Sequence, residues 1–277
     1  MTYKTDKPVL LVVAGDPHPG STLAVCPPEG VRLDDGGTYH PSKVQEWLWW
    51  AWTDGLAKAE QRRKDADAEI WVVLNGDLME GDHHGTSQII SKNPEAQAYV
   101  AERVFGVVKD LKPNRLFVVR GTEAHTGGAG SAEEALARRL GAERDKETRN
   151  WSRWHLRLNV HGLLNDFQHH GRSSGRPHLE MNAAAGLAHQ IFLEHAKKRL
   201  PHPDLAWRSH THRRYDSYDA FPTRVIGVPS FQVKTSHVHK VAPESIGQIG
   251  MYHALFRPKD PPIVWPEVHT VALPGIV

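Results

Sequence analysis

Three short apolar runs punctuate the first half of the chain: "VLLVVAG" from Val9, "EIWVVL" ahead of Asn75 and "RLFVVRG" ending at Gly121. Each has the length of a buried strand and is too short for a buried helix, and two of them stop on Gly-Asp. Longer segments with a helical period lie between them. Ser42 and Gln45 have capping-box spacing ahead of a face made of Val44, Trp47, Leu48, Ala51, Leu56 and Ala59. Asn93-Pro94 opens a second helix with Val100, Val104, Val107, Val108 and Leu111 on one stripe. Ser131 and Glu134 suggest another capping box, for a helix ending near residue 140. The alternation predicts an α/β fold whose polar residues gather just past the strands' carboxyl ends, where open α/β sheets keep their ligands.

From residue 155 the texture changes. "HLRLNV", the turn "HGLL" and "DFQHHG" read as a hairpin, a helix is expected over about 179–199, and strands return in "DLAWRSHTH", "RRYDSYD", "TRVIGV", "GMYHALF" and "EVHTVAL". There is no internal repeat and no low-complexity linker, so a single domain over 1–277 is expected. Trp47, Trp49, Trp50 and Trp52 could form a stacking platform for nucleic acid, but core packing is the expected role, although one helix cannot hide all four rings on one side.

Composition narrows the class. Hydrophobic content of 39% and charged content of 24% are those of a folded, soluble chain. A net charge of +2 without a basic block leaves nucleic acid a possible partner and does not point to it. One cysteine, Cys26, excludes an internal disulfide framework and a thiolate zinc cluster, which fits a reducing, cytoplasmic setting. The first apolar run is too short to span a bilayer, so no membrane association is expected, and nothing in the pattern sets an oligomeric state. The unusual number is 19 histidines.

Five stretches at strand ends carry the candidate chemistry: "GDPH" with Asp16 and His18, "NGD" with Asp77, "GTEAH" with Thr122, Glu123 and His125, "HHG" with His169 and His170, and "SHTH" with His210 and His212. Taken singly, each reads as a turn or a solvated histidine. Together they form a carboxylate and imidazole set without thiolates, which suits Mn, Fe, Zn, Co or Ni better than calcium or structural zinc. One further pair at i and i+2, in "SHVHK" from Ser236, has no assigned role and could sit over such a site.

In this order, the blocks resemble the calcineurin-like metallophosphoesterase superfamily, whose pattern runs D-x-H, G-D, G-N-H, an H before a glycine, and G-H-x-H. The resemblance spans residues 16–212. It implies a four-layer αββα sandwich of two mixed β-sheets flanked by helices, around two divalent metal ions, manganese favoured. By the same resemblance Asp16, His18 and His212 hold one ion, His170 and His210 the other, and Asp77 bridges both, since one carboxylate can serve two cations roughly 3.5 to 4 Å apart. His170 matches by its place before Gly171, with His169 as the reserve choice.

Two departures stand out. "GTEAH" puts Thr122 in the asparagine position, with Glu123 as rival ligand, and moves the histidine to His125, as in phage and bacterial members with a G-T-x-x-H block. Ser209 replaces a glycine. The resemblance implies hydrolysis of phosphodiester or nucleotide-type esters by a metal-activated hydroxide, with His125 as general acid or transition-state stabiliser; by position, His84 in the loop after Asp77 is expected to contact substrate, and Arg172 and Arg176, just after the His170 block, to neutralise phosphate charge. Glu80, Asp82 and His83 fall in the same loop as His84, where supporting contacts are plausible. A DNA-repair-type nuclease and a non-catalytic scaffold of the same fold are the alternatives.

Overall fold

The computed structural model describes residues 3, 5–82, 85–172 and 179–272. In chain order the first half runs β1 (Val9–Ala14), the short pair β2 (Val31–Arg32) and β3 (Thr38–Tyr39), α1 (Lys43–Asp65), β4 (Glu69–Asn75), α2 (Pro94–Asp110), β5 (Arg115–Val119), α3 (Glu123–Thr126) and α4 (Ser131–Leu140). The second half adds β6 (Ser152–Arg153), β7 (Leu156–Val160), β8 (Leu163–His170), α5 (Glu180–Lys197), β9 (Leu205–Ser209), β10 (Tyr215–Asp216), β11 (Arg224–Gly227), α6 (Ser236–Val241), β12 (Gln248–Phe256) and β13 (Ile263–Thr270).

Two mixed sheets form. One has the order β13-β12-β1-β4-β5-β6 and the other β10-β11-β9-β8-β7. β1, β4, β5 and β6 run parallel, while β12 closes antiparallel on β1. Strand alternation then sorts the side chains. Val9, Leu11 and Val13 of β1 meet Phe167 and Trp207 of the other sheet in one core, whereas Leu10 and Val12 face Leu48 and Trp52 of α1 and Val104 and Phe105 of α2 in a second. Ala184 and Ala188 of α5 cover Ala206 and Val225 on the far sheet. The result is a four-layer αββα sandwich. Among the described residues, no helix is long and apolar enough to cross a membrane.

Local signals hold in most places. Ser42 and Gln45 close a complete capping box on α1. His161 and Gly162 both adopt positive φ in the two-residue turn between β7 and β8, as a primed hairpin turn requires. The expected capping box at Ser131 does not form: the cap position is Gly130, and Glu134 accepts hydrogen bonds from Trp151 N, Ser152 N and Ser152 Oγ instead. Three donors from β6 and the residue before it outcompete one local backbone amide. The four tryptophans divide: Trp52 is fully buried and donates to Val104 O, Trp47 and Trp49 are half-buried, and Trp50 is 49% exposed beside His269.

Candidate metal centre

The carboxyl ends of five strands converge. β1 leads to Asp16 and His18, β4 to Asp77, β5 to Thr122 and His125, β8 to His169, and β9 to His210 and His212. Asp16, His18, Asp77, His210 and His212 all have φ between 45° and 69°. Non-glycine residues in this left-handed region cost on the order of 1 kcal/mol or more each, and persist only where the surroundings hold them. Here the loops hold one another: Asp16 N donates to Gly76 O, and His18 N donates to Asp77 O. Glycine is required at two points of close approach. A Cβ on Gly76, whose φ is +88°, would lie 2.3 Å from His169 Nδ1, and one on Gly121 would lie 2.1 Å from Asp77 Oδ1.

Two buried carboxylates organise the centre. Asp16 Oδ1 lies 3.4 Å from His212 Nε2, 3.7 Å from His169 Nε2 and 3.9 Å from His18 Nε2. Asp77 Oδ2 lies 3.1 Å from His169 Nε2, 3.8 Å from His18 Nε2 and 4.0 Å from His125 Nε2. Their other oxygens are engaged: Asp16 Oδ2 accepts from His210 N at 2.9 Å and Asp77 Oδ1 from Thr122 N at 2.6 Å. Asp16 Oδ1, His18 Nδ1 and His169 Nε2, all buried, have charged neighbours at 3.0 to 3.9 Å but no hydrogen bond of proper geometry among the described residues. Orphaned polar atoms cost about 1–3 kcal/mol each, and one cation between Asp16 Oδ1 and His169 Nε2 would satisfy both.

The far side of each ring is anchored. His169 Nδ1 donates to Asn75 O at 2.8 Å, His125 Nδ1 donates to Glu80 O at 2.5 Å, and His18 Nδ1 lies 3.0 Å from Glu80 Oε2. An imidazole whose Nδ1 carries the proton presents its Nε2 lone pair, the arrangement of a metal ligand backed by a fixed partner. Glu80 is itself held by Gln232 Nε2 at 3.0 Å. Electrostatics follow from the crowding. Burial opposes a charge on His169, but the charges of Asp77 and Asp16 overcome it and push its pKa up to about 10. Burial also opposes ionisation of Asp16 and Asp77, and His169 above all holds both below the usual carboxylate range. Burial and then His18 lower His125 to about 4.

Glu133, unnoticed in the sequence, is buried at the start of α4 and accepts Leu78 N at 2.9 Å and Gly121 N at 2.7 Å. One side chain thus staples the Asp77 loop to the Thr122 loop. Burial and then the charge of Asp77 raise its pKa to about 7.

Three groups of ligand atoms result: Asp16 with His18 and His212, His18 with Glu80 and His125, and Asp77 with His169 and His210. The sequence-based set is therefore largely brought together, with one substitution. His169 takes the inward place expected of His170: it is buried 3.1 Å from Asp77, where the pairing of β8 with β9 shifts register between Phe167 and His170. His170 is exposed, its ring 4.6 Å from that of His210. Thr122 faces the centre, its Oγ1 3.2 Å from His210 Nδ1, whereas Glu123 is exposed and lines a neighbouring groove. Ser209 accepts a hydrogen bond from Asn75 Nδ2 at 2.8 Å, tying the β9 loop to β4. Arg172 is exposed and lines none of the cavities around the centre. His83, His84 and Arg176 lie outside the described residues.

A cavity of about 700 Å³ opens over the cluster, bounded by Thr86, Ser87 and Gln88 and by Ser236, His237 and Lys240 of α6. The "SHVHK" segment therefore does stand over the site.

No family model matches the chain, and no curated protein matches it. Among solved structures it is similar to a hypothetical protein from Pyrococcus horikoshii at 12% identity, covering 93% of this chain and 87% of that one with a TM-score of 0.41. It is also similar to the sulfate thiohydrolase SoxB of Thermus thermophilus, solved with glycerol, at 10% identity and a TM-score of 0.43, covering 96% of this chain and 58% of that one.

Proposed function

We propose that the chain is a dinuclear metal-dependent phosphoesterase of the calcineurin-like type, acting on phosphodiester or nucleotide-type esters. The observation that carries this reading is that the Nε2 atoms of His18 and His169 each lie 3.1 to 3.9 Å from both Asp16 Oδ1 and Asp77 Oδ2, with His212 added on the Asp16 side and His125 on the Asp77 side. Asp16, His18 and His212 would hold one cation, His169 and His210 the other, and Asp77 would face both, with the Thr122 hydroxyl beside His210. Divalent ions of the manganese, iron, zinc, cobalt or nickel kind would supply Lewis-acid polarisation of a phosphoryl oxygen and acidification of water.

The chain's own residues do the rest. His125 has Nδ1 pinned by the Glu80 carbonyl, so it exchanges protons at Nε2 alone, on the cavity side, where it serves the leaving oxygen. Glu80 orients His18 and His125 together, and Glu133 fixes the spacing of the loops carrying Asp77 and His125. The size of the cavity suits a small ester better than a duplex, which favours this reading over a nuclease.

The test is hydrolysis of bis(p-nitrophenyl) phosphate with and without manganese by the wild type and Asp77→Asn, each checked for folding by circular dichroism. Wild-type turnover should depend on manganese and fall at least about a hundredfold in the variant. A wild type inert with every metal of the set, or a variant of equal rate, would overturn the reading.

A further inference from the structure

Three cavities meet in a row at the centre, and their charges are not symmetrical. The central one shares Ala124 and His125 with a groove of about 650 Å³ between α2 and α4. On its other flank it shares His210, His212, Gln232 and Val238 with a third cavity of about 320 Å³ behind α6. The α2–α4 groove is lined by Asp82, Glu95 and Glu123. Its two cations are committed to acids, Lys92 to Asp82 at 3.3 Å and Arg139 to Glu102 at 2.7 Å and Glu95 at 3.3 Å.

The α6 side is the opposite. In the central cavity the carboxylates are Asp77 and Glu80, both buried in the cluster, and among the described residues the third cavity has none. Lys240 lines the central cavity and forms no ion pair among the described residues, while Lys234 and Arg213 line the third. The remaining wall is made of hydrogen-bonding side chains, Thr86, Ser87, Gln88, Thr235 and Ser236. Ser236 N donates to Gln88 Oε1 at 3.0 Å, so α6 and the 85–88 loop form one connected wall, and no residue of α6 is buried.

We infer that the α6 wall is a subsite for a second phosphate group carried by the substrate, with Lys240 as its charged contact. The inference deepens the phosphoesterase reading and rests on it: with the scissile phosphate at the cluster, a further anion directed into the α2–α4 groove meets Glu123, Asp82 and Glu95, whereas one directed toward α6 meets a cation and neutral donors. The chemical class is therefore an ester with at least two phosphates, and the central cavity of about 700 Å³ as a whole has room for a sugar or nucleoside with them.

The experiment is calorimetric binding of methylenediphosphonate and of methylphosphonate to the manganese-loaded protein, for wild type, Lys240→Ala and Lys240→Glu. The wild type should prefer the diphosphonate. Lys240 is exposed, so Lys240→Ala should weaken that probe no more than about fivefold, Lys240→Glu should weaken it further, and methylphosphonate should change less than about twofold in both. Equal affinity of all three proteins for the diphosphonate, or parallel losses for both probes, would overturn the second-phosphate subsite while leaving the phosphoesterase reading standing. Failure of the loaded wild type to bind either probe would overturn both.

Discussion

Two clusters of charge flank the six-stranded sheet, a partly exposed one where α1 covers it and a buried one at its strand ends, and their contrast separates structure from chemistry. Where α1 crosses β12 and β13, Arg62 Nη1 donates to His253 Nδ1 at 2.5 Å and Arg62 Nη2 to Glu267 Oε1 at 2.6 Å. Lys58 lies 3.3 Å from Glu267 and 2.7 Å from Asp54. Each cation there meets an acid, and among the described residues its unpaired buried atom, His253 Nε2, gathers no group of ligand atoms. At the strand ends, by contrast, two buried carboxylates face inward imidazoles, and Asp16 Oδ1 and His169 Nε2 lie 3.7 Å apart without a hydrogen bond of proper geometry. Close pairing of charge marks both clusters. Convergent unsatisfied atoms mark only one.

The sharpest way to break that contrast is to exchange neighbours on β8. His169→Ala should remove about one equivalent of bound metal, read by elemental analysis, and cut phosphodiester hydrolysis at least about a hundredfold, whereas His170→Ala should keep both equivalents. The reverse result would put the sequence-based choice back in place. Next in size, His125→Ala should retain metal and slow turnover by about 10² to 10⁴. Loss of metal instead would make His125 a ligand through its group with His18 and Glu80.

On the structural side, burial and then the Arg62 guanidinium lower the pKa of His253 to about 3. The folded protein therefore keeps this imidazole neutral, while the unfolded chain binds a proton below about pH 6.5. Its contribution to stability is present above that pH and is lost as the pH falls toward about 3, with a slope of up to about 1.4 kcal/mol per pH unit. Chemical denaturation across this window should show a shallower acid limb in His253→Asn, and an unchanged slope would contradict the assignment. The smallest effect belongs to Lys58→Ala: its side chain is 44% exposed, so loss of its ion pairs should cost less than about 1 kcal/mol in the same assay.

Much of the fold was legible along the chain because its signals are local. The apolar runs at Val9, Ile70 and Leu116, the capping box at Ser42 and the His161-Gly162 turn each depend on residues a few positions apart. Where a long-range partner competes, the local signal fails, as at Glu134, which is taken by β6. The site divides in the same way. Asp16, His18, Asp77, His210 and His212 could be singled out because each follows a recognisable strand end. Glu133 gave no signal, since its partners Leu78 and Gly121 are distant in sequence.

The sequence by itself determined the α/β class, the places where strands stop, and the pool of carboxylates and imidazoles able to meet there, because period, length and turn chemistry are short-range properties. Only the tertiary structure placed His169 rather than His170 beside Asp77, set Thr122 toward the centre and Glu123 away from it, and laid α6 beside the cavity. Those outcomes depend on strand register and on which loops pack face to face, and contacts of that kind are made between residues up to about two hundred positions apart, such as His18 and His212 at 3.2 Å.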